Sequence, residues 1–263
     1  MGIVSKLPRR WRKPIGVTAS YVFTFFRILS WVLRPKTPVA GLQPSVLIPT
    51  VTQDTPELQD VVECALAIIA ETRKLKIESL NRLNHEQMVQ ANGWPGEHYR
   101  LLKASVNYLR PRLVVEIGTF TGLGSLAMLE AMAAGARLVT YDLVPWDKFP
   151  DTVLVGDDFT RGLEQRIGNL TDREFFESEL PVLMEADLIF MDGPKNGTFE
   201  QDFVMRFLSA RRKPCVMIWD DTRFLQMAEL WRALDEPKID ITSFGHWTGT
   251  GFIKVRGKKG DHK

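Results

Sequence analysis

Four charged side chains follow two apolar runs of the sequence, and their types and spacing could support chemistry. Asp192 and Lys195 follow one run in the pattern Asp-x-x-Lys, and Asp220 and Asp221 follow the next. Each run has the length and apolar content of a buried strand. Adjacent parallel strands end side by side at the edge where open α/β sheets bind ligands. Three carboxylates that converge there would repel one another unless protons or a cation compensate, and oxygen-only ligands suit Mg²⁺ or another hard divalent ion.

A glycine-punctuated turn stands earlier in the chain, after the apolar residues 113–117. Gly118, Gly122 and Gly124 give the spacing Gly-x-x-x-Gly-x-Gly, and a helical pattern begins at Ser125. Glycines let a backbone approach a ligand closely, and the start of a helix leaves N–H groups available beside that ligand. The spacing is neither the Gly-x-Gly-x-x-Gly of dinucleotide binders nor a phosphate loop.

Strand and helix patterns alternate from residue 112 onward, which predicts a doubly wound, mostly parallel sheet with helices on both faces. The second predicted strand, 137–142, ends in Asp142, about 20 residues past the glycine turn, where a carboxylate can accept both hydroxyls of a ribose. The alternative is that Asp142 caps a turn. The connection 143–162 is longer than such a fold requires, and long loops at this edge are usually functional. Trp146 within it could cover an adenine ring or line an acceptor site.

The glycine turn with its preceding Glu116 resembles motif I of the class I S-adenosylmethionine (SAM) dependent methyltransferases, and the resemblance covers roughly residues 95–255. It implies an α/β, Rossmann-like, seven-stranded sheet, in which strands at 239–244 and 251–255 form the antiparallel end. It implies SAM as cofactor. Asn169 stands where family members often have an acid that contacts the adenine amino group. The implied cofactor-binding residues are Glu116, Gly118, Thr119, Gly122, Ser125, Asp142, Asn169 and Asp192.

The Asp-x-x-Lys and Asp-Asp patterns are similar to those of the cation-dependent O-methyltransferases, the catechol and caffeoyl-CoA type and their bacterial relatives. The resemblance implies that Asp192, Asp220 and Asp221 bind Mg²⁺ or another divalent cation. It also implies that Lys195, with Asp192, is catalytic and helps to deprotonate the acceptor hydroxyl. A metal lowers the pKa of a chelated hydroxyl, and a neighbouring base can take the proton. Asp221 departs from the family pattern, where an amide is more usual; turn and helix-cap roles for Asp220 and Asp221, and a solvated Lys195, are the alternatives.

The expected function is that of a SAM-dependent O-methyltransferase that acts on a small hydroxylated acceptor with divalent-metal assistance. One alternative is a metal-independent methyltransferase. Another is a non-catalytic SAM-binding subunit that docks on a membrane or complex through its N-terminus. The acceptor's identity and the oligomeric state stay open, and a homo-oligomer is compatible with the sequence.

The N-terminal part of the chain differs in composition from the rest. Residues 1–50 form a basic and hydrophobic segment with a proline-containing linker, residues 51–110 a predicted helical cap, and residues 111–263 the predicted SAM-binding core. Within the first segment, residues 15–33 are mostly apolar and aromatic with polar side chains in one narrow arc. That pattern is typical of a helix in a membrane interface, with basic residues of 9–36 available to anionic headgroups. A helix packed on protein and a spanning helix are the alternatives.

The composition of the chain narrows the classes of partner and of cellular compartment. Lys and Arg number 34 against 32 Asp and Glu, a net charge of +2, so no overall field favours nucleic acid. Two cysteines far apart, Cys64 and Cys215, give neither a metal-binding spacing nor a disulfide framework, and they fit a reducing compartment. The expected location is cytoplasmic, with peripheral membrane association through the N-terminal segment.

Overall fold

One seven-stranded sheet organises the computed structural model, which describes residues 56–84, 97–224 and 226–257. The strands are β1 Leu113–Ile117, β2 Arg137–Asp142, β3 Leu163–Ile167, β4 Leu188–Met191, β5 Cys215–Asp220, β6 Lys238–Asp240 and β7 Thr250–Val255. Their order across the sheet is β3-β2-β1-β4-β5-β7-β6. β1 to β5 pair in parallel, whereas β7 runs antiparallel to both β5 and β6. The predicted fold class is confirmed.

Helices cover both faces of this sheet. They are α1 Pro56–Thr72, α2 His98–Leu109, α3 Leu123–Leu129, α4 Gly156–Thr160, α5 Arg173–Glu185, α6 Thr198–Ala210 and α7 Met227–Ala233. Apolar side chains of α1, α2 and α3 share one core with the sheet, and those of α5, α6 and α7 share another. All these elements belong to the compact unit Pro44–Lys263.

The alternation of side chains along β1 decides which residues lie in which core. Val115 and Ile117 contact the core with α5 to α7, and Val114 contacts the core with α1 to α3. Successive side chains of a strand point to opposite faces, so Glu116 lies on the α3 side, where it meets Ser125. An ionisable group is thereby buried directly beneath the glycine turn.

Two predicted elements have different bounds in the structure. The apolar residues that recur on one face between Leu58 and Ile69 predict a helix that begins at Pro56 and continues to about residue 80, but α1 ends at Thr72 and a 3₁₀ turn follows at Glu78–Arg82. There the backbone N–H of Glu78 donates to the carboxylate of Glu130, at 3.1 Å, so a tertiary contact stabilises the other conformation.

The strand expected over 239–244 is β6, which ends at Asp240. The Asp240 carboxylate accepts both the N–H and the hydroxyl of Thr242, at 2.9 and 2.5 Å. Such a local turn competes with strand pairing.

The predicted N-terminal segment 1–50, with its interfacial helix at 15–33 and its basic residues of 9–36, lies outside the described residues. No helix among the residues that the structure describes is long and apolar enough to cross a membrane. The domain boundaries at 50 and 110 stay predictions.

Candidate functional site

A cavity of about 870 Å³ lies at the carboxyl edge of the parallel strands. Its wall includes five of the predicted site residues: Gly118, Asp142, Asn169, Asp192 and Lys195. Four other predicted cofactor-binding residues lie buried behind that wall: Glu116, Thr119, Gly122 and Ser125. The glycine turn and the Asp-x-x-Lys loop therefore border one cavity.

The first glycine of the turn is required by the contact between two strand ends. Gly118 has φ of +100°, and a Cβ added there would lie 2.1 Å from the carbonyl oxygen of Asp192. A side chain at this position would push the ends of β1 and β4 apart. The close approach thus holds the turn against the strand end that carries Asp192.

Glu116 is 1% exposed and accepts a hydrogen bond from the Ser125 hydroxyl. Burial raises the pKa of Glu116 to about 8, against the lowering effect of hydrogen bonds from Ser125 and Thr140. The carboxyl group is therefore protonated at neutral pH. Glu116 and Ser125 join β1 to α3 beneath the turn, and a direct role in cofactor binding stays a prediction.

Asp142 is tied to the backbone of two loops. Oδ2 accepts the N–H groups of Thr119 and Phe120 at 3.0 and 2.8 Å, and Oδ1 accepts those of Leu143 and Val144 at 2.7 and 3.1 Å. An ionised carboxylate has about four acceptor positions. The structure shows that Asp142 stabilises a turn, which was the alternative role. A ribose hydroxyl that donates to Asp142 would share carboxylate oxygens that already accept N–H groups of the glycine turn and the next loop.

At the adenine end of the predicted cofactor site, the side chain of Asn169 also makes local hydrogen bonds. Asn169 lies on the cavity wall, where its Oδ1 accepts the N–H and the hydroxyl of Thr171 at 3.0 and 2.8 Å. Its amide nitrogen is thereby oriented by a local turn. Trp146 is not a wall residue of this cavity, and its ring lies 5.1 Å from that of Phe159.

Lys195 lies among the three predicted metal-binding carboxylates. Its Nζ is 2.7 Å from Oδ2 of Asp221, 3.0 Å from Oδ1 of Asp192 and 4.0 Å from Oδ2 of Asp220. Burial alone would lower the pKa of Lys195, but the carboxylates of Asp192 and Asp221 outweigh it and raise that pKa. The side chain is a charged ammonium in this arrangement. It can act as a base only after it has lost a proton, which requires that the carboxylate charge around it be reduced first.

The two Asp side chains at the end of β5 differ in their titration. Burial, with the charges of Asp192 and Asp221, raises the pKa of Asp220 well above its ordinary value. Burial would also raise the pKa of Asp221, but hydrogen bonds from His246 and Lys195 hold it at about 2. Asp221 is therefore the ionised partner of the pair.

The backbone is strained at both residues of the Lys195–Asp221 ion pair, and hydrogen bonds to a side chain of α6 stabilise the segment that carries Lys195. Lys195 and Asp221 have φ of +62° and +58°, in the left-handed region that costs non-glycine residues free energy. The buried Glu200 of α6 accepts the N–H of Lys195 at 2.7 Å and that of Gly197 at 2.8 Å. These bonds fix the loop so that the ammonium points toward the end of β5.

A second group of side chains contacts the Asp220–Asp221 pair from the opposite side. Because Asp220 pairs with Thr250 across β5 and β7, the loop before β7 lies beside it. Nδ1 of His246 is 3.5 Å from Oδ1 of Asp220 and 3.6 Å from Oδ1 of Asp221. Thr248 donates to Asp221 and lies 2.5 Å from His246 Nδ1, so it holds the two side chains together.

His98, the first residue of α2, completes this side. Its Nδ1 is 3.9 Å from Oδ1 of Asp220, and its ring centroid is 5.2 Å from that of His246. Burial, and next the neighbouring His246, lower the pKa of His98 to about 3, so its imidazole is neutral at pH 7.

The donors fit a cation better on one side of the Asp pair than on the other. On the Oδ2 side, the Lys195 ammonium already lies where a cation bound by Asp192 and Asp221 would be. On the Oδ1 side, donor atoms of Asp220, Asp221 and His246 all lie within 4.8 Å of one another. The predicted set of Asp192, Asp220 and Asp221 stays a prediction, in which Lys195 would have to move.

Sequence reasoning did not select several residues of the cavity wall, including Phe120, Tyr141, Leu143, Phe199 and Asp202. Phe120 is the clearest omission, because it lies within the glycine turn, has φ of +44° and is 56% exposed. An aromatic residue inside such a turn was the available signal. Phe199 and Asp202 lie on α6, and no local sequence pattern indicates which side chains of that helix line the cavity.

Solved structures of methyltransferases are similar to this chain, and the similarity to one of them supports the fold. A putative caffeoyl-CoA O-methyltransferase from Staphylococcus aureus matches with a TM-score of 0.52 at 15% identity, covering 74% of this chain and 100% of the other. A methyltransferase from Geobacter sulfurreducens has a TM-score of 0.48 at 19% identity, covering 65% and 86%. The O-methyltransferase TomG from Streptomyces achromogenes, solved in complex with SAM, has a TM-score of 0.43 at 18% identity, covering 79% and 93%. No family model matches the sequence, and no curated protein matches it significantly. The staphylococcal match supports the fold, and the chemistry is argued from this chain's own residues.

Proposed function

We propose that this protein is a SAM-dependent methyltransferase that transfers a methyl group to a hydroxyl of a small acceptor. The observation that carries the proposal is that one cavity joins the glycine turn and Asp142 to Asp192 and Lys195. The name of the staphylococcal structure, a putative caffeoyl-CoA O-methyltransferase, supports the same chemistry.

The donor end of the cavity has the features that a nucleoside with a charged amino-acid tail needs. Gly118 brings bare backbone to the wall, Asp142 presents carboxylate oxygens, and Asn169 presents an oriented amide. Bound SAM would supply an electrophilic methyl group on a sulfonium. The chain's contribution is to bind it and align it with the acceptor, and such positioning can supply much of the rate acceleration.

The acceptor end has charges that can handle a hydroxyl proton. The ammonium of Lys195, with its side chain 37% exposed beside the cavity, can donate a hydrogen bond to an acceptor oxygen and stabilise its anion. For Lys195 to act as a base, the negative charge of Asp192 and Asp221 must first be compensated. A divalent ion held by Asp220 and Asp221 would provide that compensation and would acidify a chelated hydroxyl.

A metal-independent methyltransferase is the second candidate. It is favoured by the ion pairs of Lys195 with Asp192 and Asp221, which already give these carboxylates a cation. Turnover in excess chelator separates the two. Full activity would refute metal assistance, whereas loss that is restored by a divalent ion would support it.

The test of the proposed function is calorimetry of SAM and S-adenosylhomocysteine binding to the full chain, with and without Mg²⁺, followed by an acceptor screen. Catechols, other phenols, sugar hydroxyls and lipid hydroxyls are the acceptor classes, and methyl transfer is followed by mass. Asp192→Ala should abolish metal-dependent turnover. The control is Asp147→Asn, because the Asp147 side chain is exposed and its ion-pair partner is Lys148, at 3.5 Å. A protein that binds neither SAM nor its demethylated product would overturn the proposal.

SAM binding without transfer to any acceptor, together with co-purification of a partner, would instead favour a non-catalytic subunit.

We also propose that the protein is cytoplasmic and that residues 9–36 bind anionic membranes peripherally. We propose no nucleic-acid partner, and a homo-oligomer is compatible with the sequence. Deleting residues 1–36 and measuring pelleting with anionic vesicles tests the membrane contact. Unchanged partitioning would refute it.

A further inference from the structure

Several buried polar atoms near the ends of β4 and β5 have no hydrogen-bond partner among the described residues. Oδ1 of Asp192 and Oγ1 of Thr222 are two of them. Two others, Oδ1 of Asp220 and Nδ1 of His98, belong to side chains that face each other. The side chain of Asp220 is 4% exposed and that of His98 is 10% exposed. A buried polar atom without a partner costs free energy, so such atoms usually have a ligand or a functional role. Here the two atoms face each other at 3.9 Å, which is too long for a hydrogen bond.

The spacing of the surrounding donors matches that of ligands around one small ion. Nδ1 of His246 lies 3.5 Å from Oδ1 of Asp220 and 3.6 Å from Oδ1 of Asp221. Ligands at about 2.1 Å from one tetrahedral ion lie about 3.4 Å apart. The separations of 3.5 and 3.6 Å from His246 are close to this value, whereas the 3.9 Å between His98 and Asp220 is longer, so His98 would have to move toward the Asp pair to share the ion. The hydroxyl of Thr248, 2.5 Å from Nδ1 of His246, would have to give up that contact.

The charge of the cluster also favours a dication. Asp192, Asp220 and Asp221 carry three carboxylates, and within the described ranges of the chain one ammonium, that of Lys195, lies within ion-pair distance of them. Both His side chains are neutral ligands when they bind metal. Two negative charges are left over when all three carboxylates are ionised, and one divalent ion would balance them.

We propose that Asp220, Asp221 and His246 bind one divalent transition-metal ion on the Oδ1 side of the Asp pair, opposite Lys195, and that His98 moves toward this ion to become its fourth ligand. Two imidazoles and two carboxylates suit an ion such as Zn²⁺, Co²⁺ or Fe²⁺ better than Mg²⁺, which prefers oxygen ligands. The ligand set differs from the three-carboxylate site expected from the sequence. Lys195 lies between Asp192 and Oδ2 of Asp221, so the ion would lie on the opposite, Oδ1 side, where two histidines take the place of Asp192. The inference deepens the proposed function and rests on it only for the role of the ion in activating an acceptor.

The test uses the full chain, stripped by a chelator and then titrated with Zn²⁺, Co²⁺ and Mg²⁺ in separate calorimetry experiments. We expect one equivalent of Zn²⁺ or Co²⁺ to bind at least 100-fold more tightly than Mg²⁺. The visible absorption of bound Co²⁺ reports the ligand field and does not depend on turnover. His98→Asn and His246→Asn should each weaken Zn²⁺ binding at least tenfold and change the Co²⁺ spectrum, whereas Asp192→Asn should change the affinity less than threefold.

S-adenosylhomocysteine affinity and circular dichroism of each variant show whether it still folds, because neither histidine is a wall residue of the SAM cavity. Equal affinity for Mg²⁺ and Zn²⁺ with no effect of either His substitution would overturn the inference. So would a larger loss in Asp192→Asn than in the His variants. A protein that binds S-adenosylhomocysteine but no metal would refute the metal site alone, whereas one that binds metal but no SAM would refute only the proposed function.

Discussion

Replacing Asp142 by Asn removes one of the two oxygens that hold the glycine turn, and its consequences can be estimated from the structure. The four N–H groups that donate to Asp142 divide equally between its oxygens. An Asn side chain can keep its oxygen toward Thr119 and Phe120, but its NH₂ group then faces two N–H donors of the next loop. Bonds to a charged acceptor contribute about 1.5–3 kcal/mol each, and water can replace the exposed ones in part. We expect the free energy of unfolding to fall by about 2 kcal/mol.

Thermal unfolding with and without S-adenosylhomocysteine separates the two roles of Asp142. A loss of about 2 kcal/mol corresponds to a decrease in Tm of about 4–8 °C for a domain of this size. If Asp142 also binds the ribose, the dissociation constant should rise about tenfold, which is about 1.4 kcal/mol. Asp147→Asn is the matched control, because the Asp147 side chain is 52% exposed in the same loop. An unchanged Tm in Asp142→Asn relative to this control would refute the structural argument. An unchanged dissociation constant would refute the ribose contact.

Three further substitutions test other parts of the site. Gly118→Ala should destabilise the protein by several kcal/mol more than Gly135→Ala in urea unfolding. Both positions have positive φ, but only Gly118 has a carbonyl oxygen 2.1 Å from the added Cβ; equal losses would contradict this. Glu116→Gln should flatten the pH dependence of stability. The folded pKa of about 8 exceeds the ordinary 4.5, so the native state keeps a proton that the unfolded chain releases, and wild-type stability falls from about pH 5 to pH 8. The free energy of unfolding of Glu116→Gln relative to the wild type should therefore grow by about 2 kcal/mol between pH 6 and pH 8. Parallel curves of Tm against pH for the two proteins would contradict this prediction. Glu200→Gln should slow methyl transfer more than it weakens S-adenosylhomocysteine binding, because it releases the backbone at Lys195; an equal loss of both would argue against this positioning role.

The sequence predicted the parallel half of the fold well, because its signals are local. β1, β2, β4 and β5 each contain a short apolar run, and β2 has the predicted bounds 137–142, whereas β3, with Glu164, Gln165 and Arg166 at its centre, is not apolar. The glycine turn was also recognisable, although the reason for Gly118 was not. Its conformation is required by the carbonyl oxygen of Asp192, a contact across 74 residues that no local pattern contains.

The predictions that failed are those in which a tertiary contact decides the backbone. The helix beyond Thr72 was expected from its local sequence, but Glu130 binds the backbone at Glu78 and holds the chain in a 3₁₀ turn. Lys195 shows how tertiary contacts also decide chemistry. Its catalytic role stays a prediction, but the carboxylates of Asp192 and of Asp221, which follows a different strand, raise its pKa, and no local pattern contains the contact with Asp221.

The side chains around Asp220 come together because of the topology at the end of the sheet. The carboxyl ends of parallel strands meet at one edge, and an antiparallel strand begins at that same edge. Since β7 is antiparallel to β5, its first residue, Thr250, pairs with Asp220, and the loop that carries His246 must lie over the end of β5. That contact follows from strand order alone, and the sequence pattern could have placed His246 beside the Asp pair once β7 was assigned next to β5. His98 is different, because its position depends on how α2 packs on α3 and on the sheet. Removing His98 therefore tests whether the helices before the core are part of the active site or only cover it.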